Sequence, residues 1–253
     1  MSEAEHAQAD EGDQGARPTA EEAAAEEAAA EEARARDAEL LERRDAALAH
    51  VVKFGDPILR SKATPVKAFD DSLAQEVKRM IAIMREGMGV GLAATQLGAL
   101  RRVLVFQAGM DALPQALINP VIQWLSEDEV LAEEGCLSLP RVSVDVERPL
   151  HTRVAGRDVS GEEIVIEASG LEARVLLHEM DHLDGVLILD RTSRDQRKGA
   201  LRALREGGTY SPPVEDDEEE AAVDSGENAN VPGAAESEDA PRRMRRFRRS
   251  AAA

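Results

Sequence analysis

Cysteine and aromatic residues are scarce in this 253-residue chain: one Cys, four Phe, one Trp and one Tyr. A single thiol excludes an intrachain disulfide, and no apolar run approaches the roughly 18–20 residues needed to span a bilayer. The opening Met1-Ser2-Glu3-Ala4-Glu5 lacks the basic start and apolar stretch of a secretory signal, and it is too acidic for an organelle transit peptide. These absences predict a cytoplasmic protein in a reducing compartment, with no membrane partner. Basic residues are also in deficit, 31 Lys and Arg against 50 Asp and Glu, for a net charge of −19. The deficit is uneven: residues 1–47 carry 15 acids against 5 bases and residues 211–253 carry 11 against 6, so the stretch between them is only at −4.

The sequence therefore divides into an Ala/Glu-rich acidic extension (residues 1–47), a folding unit (48–208) and a tail (209–253). From Ala20 to Ala33 the extension favours helix but offers no Leu, Ile, Val or Phe for packing, so a frayed helix or disorder is expected, with apolar patterning starting near Leu40. The tail runs through six consecutive acids, Glu215 to Glu220, and then six arginines between Arg242 and Arg249, and reads as disordered.

Within the middle unit, Asp70-Asp71-Ser72 followed by Leu73, Val77, Met80, Ile81 and Met84 predicts an amphipathic helix ending at Gly87. Strands are expected at 102–106, 116–122, 143–147, 152–155 and 163–167, the last two joined by the turn Asp158-Val159-Ser160-Gly161. Helices are expected at 171–184 and 192–205, with a short strand-like run between them. Helices and antiparallel strands in blocks indicate an α+β fold, with antiparallel β-sheets packed around a central helix and a further helix at the C-terminal end.

That central helix carries the most informative pattern. Ser169 and Glu172 form an S-x-x-E capping signature, Gly185 is placed to end the helix, and His178 and His182 stand four residues apart on one face with Glu179 beside them. Leu171 and Val175 extend the same stripe, so the imidazoles share a face expected to be buried. Two histidines at this spacing can grip one metal ion, with Glu179 as a base. A catalytic site of this kind needs a third protein ligand. The extended zinc-protease pattern would put a histidine at position 188, which is Ile188, and Glu206 is poorly placed at a frayed helix end. The remaining candidate is Cys136, in Glu134-Gly135-Cys136-Leu137-Ser138-Leu139-Pro140, because a thiolate suits a borderline-soft divalent cation. A third segment, Gly89-Val90-Gly91-Leu92-Ala93-Ala94-Thr95-Gln96, offers close backbone approach at its glycines and an amide at Gln96.

These three motifs, in this order, resemble those of bacterial peptide deformylases, and the resemblance runs from about Phe54 to Arg205. It implies a metal-dependent hydrolase that removes the formyl group from the N-terminal methionine of newly made polypeptides. One ion per chain is implied, Fe(II) or in its place Zn, Ni or Co. Cys136, His178 and His182 are the implied ligands, and Glu179 is the general base and acid for attack of metal-bound hydroxide on the formyl carbon. The Gln96 side chain and the Leu137 N–H are the implied oxyanion donors, and Glu134 paired with Arg148 the implied brace of the cysteine loop. Leu171, Val175 and Val90 would line an apolar pocket suited to methionine, with the Gly91 and Leu139 backbones meeting the peptide. Met88 and Arg141 stand where some relatives differ. Two other readings remain: a zinc endopeptidase, from the histidine pair alone, and an RNA- or ribosome-binding factor, from the terminal arginines and the basic residues at 194–205. Nascent N-formylmethionyl chains are the expected partner, and docking at the ribosome fits the first and last readings together.

Overall fold

The computed structural model describes residues 20–109 and 112–213, so the acidic start of the chain and the tail from residue 214 lie outside it. Helix α1 (Ala20–Leu48) is built on alanine and glutamate and is reinforced by i,i+4 ion pairs, Glu32–Arg36 at 2.9 Å and Glu39–Arg43 at 2.6 Å. Leu40 and Leu41 are exposed; among the described side chains, α1 meets the core in its last turn, through buried Ala47 and through Leu48. Helix α2 (Asp71–Glu86) follows its sequence pattern, with the Asp70 side chain accepting from the Leu73 N–H and with Leu73, Val77, Met80 and Met84 buried.

Seven strands follow: β1 (Gly91–Ala93), β2 (Val103–Phe106), β3 (Gln115–Leu125), β4 (Glu129–Cys136), β5 (Leu139–Pro149), β6 (His151–Arg157) and β7 (Glu163–Ser169). Five form an antiparallel sheet in the order β1-β2-β3-β6-β7, while β4 and β5 form a separate hairpin closed at Cys136 and Leu139. β4 has no counterpart among the expected strands, because it inverts the usual pattern. Its apolar Val130 and Leu131 are exposed and its buried side chain is the charged Glu134.

Helix α3 (Leu171–Leu183) packs against β1, β2 and β7 of the sheet and against β5 of the hairpin. Ala173, Leu176, Met180 and Leu183 interlock with Leu104, Phe106, Leu117 and Val154, and each fully buried leucine contributes roughly 1.5–3 kcal/mol. Two expectations about this helix are corrected. Its N-cap is Gly170, at φ 56° and ψ −121°, without a side-chain cap. Ser169 instead ends β7 opposite His151, with its Oγ 2.8 Å from His151 Nδ1, so a backbone shape open only to glycine makes the junction. The buried stripe begins at Val175, since Leu171 is 56% exposed.

Beyond α3, Gly185 is left-handed (φ +74°), and the run after it is a 3-10 turn, Ile188–Asp190, where a strand was expected. Helix α4 (Arg194–Glu206) is capped by Ser193, two residues later than its expected start. Finally, Tyr210 pairs alongside β5, donating its N–H to Arg141 O and accepting from Ser143 N–H. The architecture is α+β, with both sheets antiparallel.

Candidate active site

Cys136 lies 42 residues before His178 in the chain, yet their ligand atoms and that of His182 all lie within 4.8 Å of one another. Local geometry supplies half of this. On α3, positions 178 and 182 are one turn apart, and the two rings sit edge-on with centroids 5.0 Å apart. The tight turn between β4 and β5 then brings Cys136 Sγ to 3.2 Å from His182 Nε2.

The His178 imidazole is held from behind. His178 Nδ1 donates to Glu134 Oε2 at 3.0 Å, which leaves Nε2 with its lone pair turned to the cluster. Thr95 Oγ1 donates to the backbone oxygen of His182 at 3.2 Å. Burial disfavours the Cys136 thiolate, but His182 and His178 outweigh it and hold the thiol well below its usual range. Burial likewise opposes a charged His178, and its contacts with Cys136 and Glu134 outweigh that, raising its proton affinity. A thiolate beside two imidazoles is the donor set of a borderline-soft divalent ion, so these residues fit a metal centre.

Glu134 is the hub of a buried charge network. It takes a bidentate pair from Arg148 (Nε 2.9 Å, Nη2 3.0 Å) and a third contact from Arg174 Nη1 at 2.8 Å. Arg148 also donates to Asp181 at 2.6 Å, and Asp181 in turn receives Arg191. Burial works against the Glu134 carboxylate, but Arg148 and His178 prevail and bring its pKa to about 2. Arg174 further donates to the carbonyls of Ala132 and Val146, stitching β4 and β5 to the helix that carries both histidines. The sequence reading named Glu134 and Arg148 but missed Arg174 and Asp181. The available signal for Arg174 was its position four residues before His178 on the same face.

Glu179 is 4% exposed, and burial lifts its pKa to about 7, against the pull of His178 and His182. Among the described residues, its Oε2 and His182 Nδ1 are the buried side-chain N and O atoms without a hydrogen-bond partner. Gly91 makes room for this carboxylate, since a Cβ there would lie 2.3 Å from Glu179 Oε1. Gln96, 1% exposed, is fixed by its Oε1 accepting from the Ala93 N–H at 2.9 Å. Its Nε2 reaches Ser138 Oγ at 3.3 Å and Cys136 Sγ at 3.5 Å. Leu137 occupies the turn between β4 and β5, and among the described residues its N–H makes no backbone hydrogen bond.

A cleft of about 530 Å³ opens onto this cluster. Cys136, His178, Glu179, Gln96, Leu137, Val90, Gly91, Leu139, Leu171 and Val175 all line it, together with Arg44, Arg141, Thr209 and Ser211. His182 and Arg148 lie behind its wall, both buried.

Comparison with known proteins gives the family. Residues 48–198 match the family model described as polypeptide deformylase. A peptide deformylase of Acidothermus cellulolyticus is 45% identical over 153 residues, 60% of this chain and 83% of that protein. Peptide deformylase 1 of Corynebacterium glutamicum is 42% identical over 167 residues, 65% of this chain and 99% of that protein. The crystal structure of a peptide deformylase from Synechococcus elongatus aligns with a TM-score of 0.59 at 39% identity, covering 63% of this chain and 88% of that one. The chain therefore belongs to the polypeptide deformylase family and is an enzyme of that hydrolase class.

Proposed function

We propose that residues 48–208 form a metal-dependent catalytic unit that removes the formyl group from the N-terminal methionine of nascent polypeptides. The observation that carries this reading is the meeting of Cys136 with His178 and His182 beside the buried Glu179, at the floor of a cleft. Cys136, His178 and His182 would hold the ion, with Fe(II) proposed as the resident metal and Zn, Ni or Co able to replace it. A divalent ion there supplies Lewis acidity and an acidified water at neutral pH.

The remaining roles belong to this chain's own side chains. Glu179, with its pKa near 7, is suited both to take a proton from the attacking water and to return it to the departing amine. The Gln96 amide, anchored at its oxygen by Ala93, and the Leu137 N–H are donors for the charge that gathers on the formyl oxygen. Glu134, clamped by Arg148, orients His178. Val90, Val175 and Leu171 offer an apolar wall for the methionine side chain. β1 is an edge strand of its sheet, so the backbone at Gly91, with Leu139 on the facing hairpin, can receive the peptide as an added strand. This mode accepts many sequences, as a processing enzyme for new chains requires.

Formate release from a formyl-Met peptide by protein prepared with Fe(II) under exclusion of oxygen tests the reading. Glu179→Gln is expected to lower kcat by about 10²–10⁴. Wild-type turnover in that variant would reject the assigned base, and cleavage of unblocked peptides at internal bonds would favour an endopeptidase. Among the described residues no helix is long and apolar enough to cross a membrane. Ribosome docking remains a proposal supported by exposed Arg194, Arg197, Lys198, Arg202 and Arg205 on α4. The arginine run of the tail lies outside the described residues.

A further inference from the structure

The family match begins at residue 48, but the cleft does not. Its wall includes Arg44 and Leu48, contributed by the end of α1. This end is not a loose appendage. Ala47 is buried, and Leu48 packs where its Cδ2 and the Leu137 Cδ1 both approach Gly87. Lys53 Nζ donates to Leu48 O at 2.9 Å and to Leu137 O at 3.3 Å, tying the helix end to the turn that carries Cys136.

On this anchored turn Arg43 and Asp45 are exposed, whereas Arg44 between them is half-buried against the cleft. Among the described residues Arg44 has no carboxylate within 4.0 Å, and neither does Arg141. Six Arg and Glu side chains line the cleft: Arg44, Arg141, Arg174, Glu133, Glu134 and Glu179. Arg174 and Glu134 satisfy each other, and Glu179 belongs to the floor. Among the described residues, Arg44 and Arg141 therefore remain as cleft guanidinium groups without a carboxylate partner, in a chain of net charge −19. Lys53 stands close by; burial lowers its pKa, Cys136 opposes this, and Arg44 adds a smaller push in the same direction as burial.

We propose that Arg44, together with Arg141, makes the cleft select peptides that carry a carboxylate side chain beyond the formylated methionine. The inference rests on the deformylase reading and adds to it a substrate class, supplied by a residue that precedes the family region. An arginine already half-buried loses little further hydration when a carboxylate arrives, and its planar fork can bind that carboxylate in bidentate fashion.

The test compares two substrates of the full-length Fe(II) enzyme, formyl-Met-Ala-Glu-Ser amide and formyl-Met-Ala-Gln-Ser amide, with their C-termini blocked. At low salt the Glu peptide should have a kcat/KM roughly three- to five-fold higher, expressed in KM, which is the size of one partly exposed ion pair. The ratio should approach one in about 0.5 M salt, a readout that needs no variant. Arg44→Gln should bring the ratio near one, Arg44→Lys should retain part of it, and Arg44→Glu should reverse it. Equal turnover of both peptides by the wild type overturns the inference while leaving the deformylase reading intact, as does a preference that survives in Arg44→Gln. No formate from either peptide overturns the deformylase reading, and this inference with it.

Discussion

Gly91 shows how a single hydrogen atom shapes the candidate site. It has no side chain because Glu179 Oε1 already occupies the space, 2.3 Å from where a Cβ would stand. Gly91→Ala is expected to push the carboxylate off its position and lower kcat about 10²-fold, as a displacement near 1 Å does, while the melting temperature moves little. Steady-state kinetics alongside thermal unfolding checks this, and a variant with wild-type kcat would contradict it. At this scale the sequence was readable where chemistry repeats at short range. His178 and His182 declare themselves by spacing, and Glu179 by adjacency. Arg174 and Asp181 did not, because on a helix a buried charge looks like any solvated one until its partners are known. Here those partners are the carbonyls of β4 and β5 and Arg148, all distant in the chain. Removing one member of such a buried pair commonly costs about 3–5 kcal/mol, because the other charge is left buried and uncompensated.

At the scale of elements, the two 3-10 turns Pro57–Arg60 and Ile188–Asp190 are clasped together. Asp190 accepts from the Leu187 N–H at 2.9 Å and pairs with Arg60, while Gly185 lets the Arg60 carbonyl approach within 2.6 Å of its would-be Cβ. Burial raises the Asp190 pKa, but Arg60 and the Leu187 N–H outweigh it and leave the group below its ordinary 3.8. Its contribution to stability is therefore complete above about pH 4 and lost as pH falls through the lower folded-state value. Urea unfolding should find Asp190→Asn more costly at pH 6.5 than at pH 2.5; equal costs would show that the clasp does not depend on charge. Helices with strong periodicity, such as α2, were legible from their residues. β4 was not, because its stability comes from pairing with β5 and from the charge network behind Glu134. Its own residues alternate the wrong way for a half-buried strand.

Across the whole molecule, α1 changes character along its length. From Glu26 to Arg43 it is exposed, and from Ala47 it belongs to the core. Deleting the chain up to Glu39 should shift the melting temperature by less than about 2 °C, since exposed residues contribute within about 0.5 kcal/mol. Deleting it up to Leu48 removes core contacts worth a leucine truncation and should lower the melting temperature by roughly 5–10 °C. Differential scanning fluorimetry on the two truncations separates the cases. Similar melting curves for both would mean that Ala47 and Leu48 do not support the fold. The second truncation also takes away Arg44, so the border of the family match and the border of the working cleft differ.

By itself, the sequence determined the chemical inventory and the local geometry. One thiol, an i,i+4 histidine pair with an adjacent glutamate, and a glycine-flanked amide segment are short-range facts fixed by helix pitch and residue type. Only the tertiary structure decided which of these meet. The approach of Cys136 to the imidazoles, the burial that lifts Glu179, and the delivery of Arg44 to the cleft depend on how the β4–β5 hairpin and α1 dock around α3. Contacts between residues far apart in the chain depend on shape and burial, which no local pattern records.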